Sequence, residues 1–268
     1  MMDEREIIVA AHPTKVIVFG ATGNVGRRLV AGGLAHGHEV TAFVRSGQKL
    51  VQQWNAQLPE RLRVVEGDVL DESAVGQAIE GHDAVVNAAG HATDPKMLER
   101  ICAIIVRQAE RVMAPPPRVW LFGGAAVLNI PHTSYLGVDL PGVPAIYQAH
   151  KRNWHMLKRS ATDWSLMCPG PMVPAPDGRP RDDLRISTEV LPYPLGNWAR
   201  LAPRIALALS MKAHLAEITV AYEDVAEIVM THLAAGGDFA RKRVGVALPP
   251  GRRQEKRGWR PGQQGPEQ

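Results

Sequence analysis

The sequence predicts an α/β chain built on one doubly wound parallel sheet. Three observations carry this reading. Short, apolar, β-branched runs recur along the chain, beginning with Val16-Ile17-Val18-Phe19, as strands buried on both faces require. Amphipathic stretches of helical period separate these runs, and regular strand–helix alternation implies parallel pairing with helices on both faces. A glycine-rich turn directly follows the first run and opens the first helix.

The elements follow in order. A helix is predicted over 24–36, where Val25, Leu29, Val30 and Leu34 share one face. A strand over 39–44, a helix over 47–57, a strand over 62–66, a helix over 71–80 and a strand over 83–87 come next. A long helix over 95–114 is closed by Pro115-Pro116-Pro117, which cannot continue it. A strand over 118–123, a helix over 145–160 and a strand over 164–168 follow. Residues 170–199 are rich in Pro and Gly and read as a long loop, a feature that usually serves function. A helix over 201–215, a strand near 218–220, a helix over 223–235 and a last strand over 243–248 complete the pattern. The expected organisation is an N-terminal extension (1–14), one domain (15–248) whose residues 170–222 shape a substrate pocket, and a disordered basic tail (249–268).

Composition removes several classes of function. No apolar run approaches the roughly 20 residues that a membrane-crossing helix needs. The opening stretch MMDEREIIVAAHPTK is acidic where a secretory leader is basic, so a cytoplasmic protein is expected. Of the +4 net charge, residues 241–268 contribute +6, from eight Lys/Arg against two Glu, so the body is mildly acidic. The basicity therefore belongs to the end of the chain and calls for no specific nucleic acid or membrane partner. A small-molecule substrate is the expected partner, and the oligomeric state stays open. Cys102 and Cys168 form no CxxC or Cys/His cluster and are expected to be buried free thiols. His82, His91, His132, His150 and His155 form no metal set with nearby acids, so no metal is expected. No GxSxG elbow supports a hydrolase.

The turn reads Gly20-Ala21-Thr22-Gly23-Asn24-Val25-Gly26. Gly20 permits the tight turn, Gly23 the approach of a pyrophosphate, and Gly26 close packing of helix on sheet. With Thr22, Asn24 and Val25 they form a Rossmann-type cradle of backbone amides at a helix N-terminus. At the end of the second strand, where NAD-binders place a carboxylate, stand Arg45 and Ser46, with Lys49 nearby. An arginine holds a 2′-phosphate and a carboxylate repels it, so NADP (NADPH) is the expected dinucleotide.

GATGNVG, the strand ending FVR, GDVLD at 67–71 and VVNAAG at 85–90 resemble the atypical short-chain dehydrogenase/reductases. The nearest in pattern are the NmrA-like NAD(P)H-binding proteins and the flavin reductase/biliverdin reductase B type. The similarity runs over 15–248 and is clearest before residue 125. It implies that Asp68 and Val69 line the adenine. It also implies that Ala88, Ala89 and Gly90 pass beside the ribose and nicotinamide, and that Pro169, Gly170 and Pro171 border the nicotinamide. On the residues alone, Asp68 also suits capping the helix near Asp71, and Ala88–Gly90 suit a tight strand exit. Tyr147-Gln148-Ala149-His150-Lys151 reads as the superfamily's YxxxK. At this spacing the two side chains stack on a helix, and an ammonium there stabilises a phenolate, which lets the phenol pass a proton to a carbonyl oxygen. A helical pair without chemistry is the other reading. The resemblance implies a Ser at the end of the fifth strand, yet Leu121-Phe122-Gly123-Gly124-Ala125-Ala126 holds no hydroxyl; Ser134 lies 13 residues before Tyr147. The expected function is an NADPH-dependent reductase of a flavin, quinone or small carbonyl. The alternatives are a non-catalytic NADP-binding sensor and a non-redox epimerase or isomerase.

Overall fold

The computed structural model describes residues 13–54, 57–90, 94–112 and 117–256. The doubly wound sheet expected from the sequence is present, in a single α/β domain of Rossmann type. Its first half comprises β1 (Lys15–Phe19), α1 (Asn24–Ala35), β2 (Glu39–Val44), α2 (Gly47–Gln53), β3 (Leu62–Glu66), α3 (Glu72–Ile79), β4 (Ala84–Asn87), α4 (Pro95–Arg111) and β5 (Arg118–Phe122). The second half comprises α5 (Gln148–Arg159), β6 (Asp163–Cys168), β7 (Met172–Val173), β8 (Arg185–Thr188), α6 (Arg204–Ala213), β9 (Val220–Ala221), α7 (Tyr222–Met230) and β10 (Lys242–Ala247). The main sheet runs β3-β2-β1-β4-β5-β6-β10-β8, and only β8 is antiparallel to its neighbour.

Strand periodicity divides the core into two layers. Val16 and Val18 point to one face, where Leu29 and Val30 of α1 meet Val225 and Val229 of α7. Ile17 and Phe19 point to the other, against Ile79 of α3, Ile101 and Ile105 of α4 and Leu157 of α5. Burial on both sides explains why these strands read as unbroken apolar runs. The strand order reverses between β1 and β4, which opens the crevice where such sheets take their ligands.

The structure departs from the sequence expectation after β6. Residues 170–199 contain β7, paired with β9, and β8, which covers the edge of β10. A four-residue strand with three polar side chains gives no periodic signal; it forms because β10 offers it open backbone groups. The helix expected over 145–160 opens as a 3-10 turn at Ala145–Tyr147 before α5 begins. Helix α7 stops at Met230, short of the expected 235, and the Thr231 hydroxyl bonds back to the Glu227 carbonyl at 2.7 Å. Residues 249–256 lie against the body, where the Gln254 amide donates to the Ala216 carbonyl at 2.8 Å. Residues 257–268 of the tail, residues 1–12 of the N-terminal extension, and His91 lie outside the described residues. Among the described residues, no helix is long and apolar enough to cross a membrane.

Candidate functional site

The glycine turn is dictated by close packing. Gly20 has φ +75°, and a Cβ there would lie 2.5 Å from the Ala89 nitrogen. A Cβ on Gly26 would lie 2.0 Å from the Gly20 carbonyl oxygen. One turn therefore presses both on its own helix and on the exit of β4, and it brings Gly20–Gly26 beside Ala88 and Ala89. The Ala88 amide donates to the Phe19 carbonyl at 2.9 Å, and the Ala89 amide to Asn87 Oδ1 at 2.9 Å. Asn87 is buried and fixes this exit, a role with no signal in the sequence pattern.

Helices α1 and α6 both begin without a side-chain cap, and α1 alone of the two begins behind the glycine turn. Asp71 caps α3, accepting from the Ser73 and Ala74 amides at 2.9 and 3.1 Å. Asp94 caps α4 through the Met97 amide at 3.0 Å. Helix α1 begins on Gly23 with no side-chain cap, and no described residue accepts from the amides of Asn24, Val25 or Gly26. Thr22 sits in the same turn, its carbonyl accepting from Gln53 Nε2 at 3.1 Å. Unsatisfied amides at the positive end of a helix dipole suit an anion, and the glycines keep side chains out of its way. The turn thus fits the pyrophosphate of a dinucleotide.

Arg45 and Ser46 stand exposed beyond β2, and Arg45 has no ion-pair partner among the described residues. A residue that the sequence does not single out stands beside them. Glu66, paired in register with Val44, accepts the Gly47 amide at 2.7 Å and so caps α2. The register imposed by a β2–β3 pair is the signal that could have found it. Asp68 is exposed, and its Oδ1 accepts the Leu70 amide at 2.9 Å. That bond forms a turn before α3 rather than the helix cap, which is Asp71 itself. Val69 packs partly on the core. On the other side of the crevice the Pro169 carbonyl accepts the Ala125 amide at 2.8 Å, tying the exit of β6 to that of β5.

Tyr147 ends the 3-10 turn and its ring stacks on His150, with centroids 6.1 Å apart at 29°. Lys151 donates to both oxygens of Asp139, at 2.7 and 2.8 Å. Ser134 is exposed in the loop that precedes these residues, its carbonyl accepting from Asn129 Nδ2 at 3.2 Å. The His150 Nδ1 is buried and meets no partner among the described residues, and burial lowers its pKa to about 4. Cys102 and Cys168 are buried free thiols; burial pushes Cys102 up to about 12 and raises Cys168 as well. Among the described residues, no three His, Cys, Asp or Glu side chains gather to hold a metal ion. Volume does not mark the site either. A cleft of about 630 Å³ runs along α1 and α7, lined by Arg27, Arg28, Trp54 and Glu223 and by none of the turn's own glycines.

Comparison with known proteins agrees with this fold. Over 90 residues the chain is 31% identical to the photosystem II assembly factor Ycf39 of Synechocystis, a match spanning 32% of this chain and only 26% of that protein. Over 165 residues it is 28% identical to the uncharacterized protein YwnB of Bacillus subtilis, covering 58% of this chain and 71% of the other. A candidate NADH-flavin reductase from Streptococcus pneumoniae shares the fold with a TM-score of 0.62 at 20% identity, over 88% of this chain and 99% of that one. So does a short-chain dehydrogenase/reductase of Veillonella parvula in complex with NADP, with a TM-score of 0.62 at 16% identity, over 92% and 100%. The sequence model of the NAD(P)H-binding family matches residues 20–187, more than half of the chain, from the first glycine of the turn into β8. The chain belongs to the NAD(P)H-binding family.

Proposed function

We propose that the protein is an NADPH-dependent oxidoreductase that passes hydride to a flavin, quinone or small carbonyl acceptor. The observation that carries this is the uncapped N-terminus of α1, with three amides unpaired among the described residues, behind a turn in which Gly20 and Gly26 admit no side chain. Bound NADPH supplies the hydride. The amides of Asn24, Val25 and Gly26 hold the pyrophosphate, and Arg45 with Ser46 holds the 2′-phosphate. Asp68 and Val69 border the adenine. Ala88, Ala89, Gly90 and Pro169 leave space for the nicotinamide half, and Lys151 reaches the ribose. Tyr147 gives the acceptor oxygen its proton. The flavin-reductase and NADP-bound neighbours support this reading through their shared fold.

Fluorescence titration with NADPH, followed by turnover on FMN, quinones and aldehydes, tests the proposal. Binding is expected at or below the order of tens of micromolar, within the ordinary enzyme range. Absence of binding there overturns it. The strand-five exit without a hydroxyl favours one second reading, a dinucleotide sensor. Tight NADPH binding with no oxidation across that acceptor panel would select it.

A further inference from the structure

The structure assigns His150 the task of the missing strand-five hydroxyl: its Nε2–H holds the oxygen of the acceptor while hydride is delivered. This assignment rests on the reductase reading above.

Position is the first argument. A Cβ added to Gly124 would meet His150 Cδ2 at 3.6 Å, Tyr147 Cδ1 at 3.8 Å and His150 Nε2 at 3.9 Å. One edge of the imidazole and one edge of the phenol therefore flank the gap that a serine side chain on the strand-five exit would fill. The stack on Tyr147 holds the imidazole beside that gap.

The tautomer is the second. Nδ1 is buried and has no partner among the described residues. A buried N–H without an acceptor is the rarer orphan, and a bare ring nitrogen is the less costly one. The proton therefore sits on Nε2, at the edge that faces the Gly124 gap. Burial keeps the ring neutral at neutral pH, so it donates a hydrogen bond and does not compete with Tyr147 as an acid.

The step balances without a further reactant. Hydride from the reduced dinucleotide forms the new bond to the acceptor carbon, and the carbonyl π pair moves to oxygen. Tyr147 protonates that oxygen and regains its proton from solvent. The dinucleotide is oxidised, the carbonyl is reduced, and His150 keeps its proton throughout.

The fold offers a direct test, because Gly124 does not need to be glycine. Its backbone is extended, at φ −144° and ψ 154°, and an added Cβ makes only ordinary contacts. NADPH oxidation by the full-length protein is followed with 4-nitrobenzaldehyde, whose carbonyl carbon takes the hydride. His150→Phe keeps an aromatic ring against Tyr147 and removes the donor. It is expected to lower kcat about tenfold or more, with NADPH affinity unchanged. His150→Asn, or Gly124→Ser added to His150→Phe, is expected to restore a measurable part of the loss, which a packing role would not permit. If His150→Phe does not melt cooperatively, the comparison of His150→Asn with His150→Ala takes its place. Wild-type turnover with an unaffected His150→Phe overturns this assignment alone. Loss in every variant without recovery also overturns it. NADPH binding without wild-type turnover overturns the reductase reading, and the assignment with it.

Discussion

The ammonium of Lys151 lies between both carboxylate oxygens of Asp139, at 2.7 and 2.8 Å, one helical turn after Tyr147. The two side chains are 26% and 33% exposed, so the pair contributes no more than about 1 kcal/mol to stability. Its electrostatic effect is larger than its mechanical one. On the proposed role of the pair, the carboxylate would offset part of the positive field that Lys151 places on the Tyr147 phenol. Asp139→Asn removes that offset, so the phenol loses its proton more readily. An acid must be protonated to act, and the alkaline limb of the kcat profile is expected to move to lower pH. A profile measured between pH 6 and 10 decides this. An unmoved limb would show that Lys151 does not act on Tyr147.

Arg45 is exposed, with no ion-pair partner among the described residues, while Glu66 caps the neighbouring helix. Arg45→Ala is expected to leave the melting temperature nearly unchanged, as surface substitutions do. It should weaken NADPH about tenfold to a hundredfold, from the loss of a charge-assisted hydrogen bond, and NADH far less. Paired fluorescence titrations measure the ratio. Equal weakening of both dinucleotides would remove Arg45 from recognition of the 2′-phosphate.

Much of the fold and of the glycine turn is legible in the residues themselves. The run Val16–Phe19 is buried on both faces because helices cover both sides of β1, and that situation selects apolar, β-branched residues at every position. Gly20 and Gly26 stand out because backbone contact leaves no chemical alternative there. The roles of Glu66 and His150 do not. Each owes its place to a partner distant in sequence or to a side-chain direction, and neither leaves a periodic trace. The buried arginines Arg118 and Arg243 are hidden for a related reason. A strand position reads as exposed when it carries a charge, until its partners Asp163 and Glu189 are known.

The glycines separate folding from binding. A Cβ on Gly26 would lie 2.0 Å from the Gly20 oxygen and 2.7 Å from its carbonyl carbon, both backbone atoms. Gly26→Ala must therefore displace the turn, at a cost of about 1–3 kcal/mol, the range seen for overpacking. A Cβ on Gly23 would meet the same oxygen at 3.3 Å, which a small shift relieves. Gly23→Ala is expected to melt within a few degrees of the native chain and still lose most NADPH affinity, because its methyl enters the anion cradle. Retained affinity in a folded Gly23→Ala protein would count against pyrophosphate binding at this turn.

Histidine burial sets an acid limit on stability. His150, His38 and His82 all have their protonation opposed by desolvation, and His150 is pushed down to about 4. In an unfolded chain an imidazole titrates near 6.5. Between those values the unfolded state binds the extra proton, so stability rises with pH through the window and falls as pH drops from about 6.5 to about 4. Above it the contribution of His150 is constant. Allowing for partial exposure of the ring, the stability lost across that window is about 1–2 kcal/mol. Urea midpoints at pH 7.5, 5.5 and 4.5 should fall more steeply for the native chain than for His150→Phe. Parallel slopes would show that His150 is not held neutral.

Arg243 joins the parts that carry the proposed chemistry. It is 3% exposed, and its Nε donates to Glu189 Oε2 at 2.8 Å. Its Nη2 donates to Asn129 Oδ1 at 2.8 Å, and its Nη1 bonds the Val127 carbonyl in the turn after β5. The guanidinium lies 3.9 Å from the ring centroid of Trp154 on α5. A planar fork can satisfy all of these at once, and an ammonium cannot. Arg243→Lys keeps the charge but leaves buried acceptors unpaired, at an expected cost of about 2–4 kcal/mol. Helix α5 and the strand-five exit should loosen together, so kcat falls. The proposed dinucleotide cradle stands several strands away, on β1 and β2, so NADPH affinity should hold. Thermal melts, NADPH titration and quinone turnover on one preparation separate the three effects. A full kcat in a destabilised Arg243→Lys protein would mean that this contact supports the fold alone and does not position the proton donor.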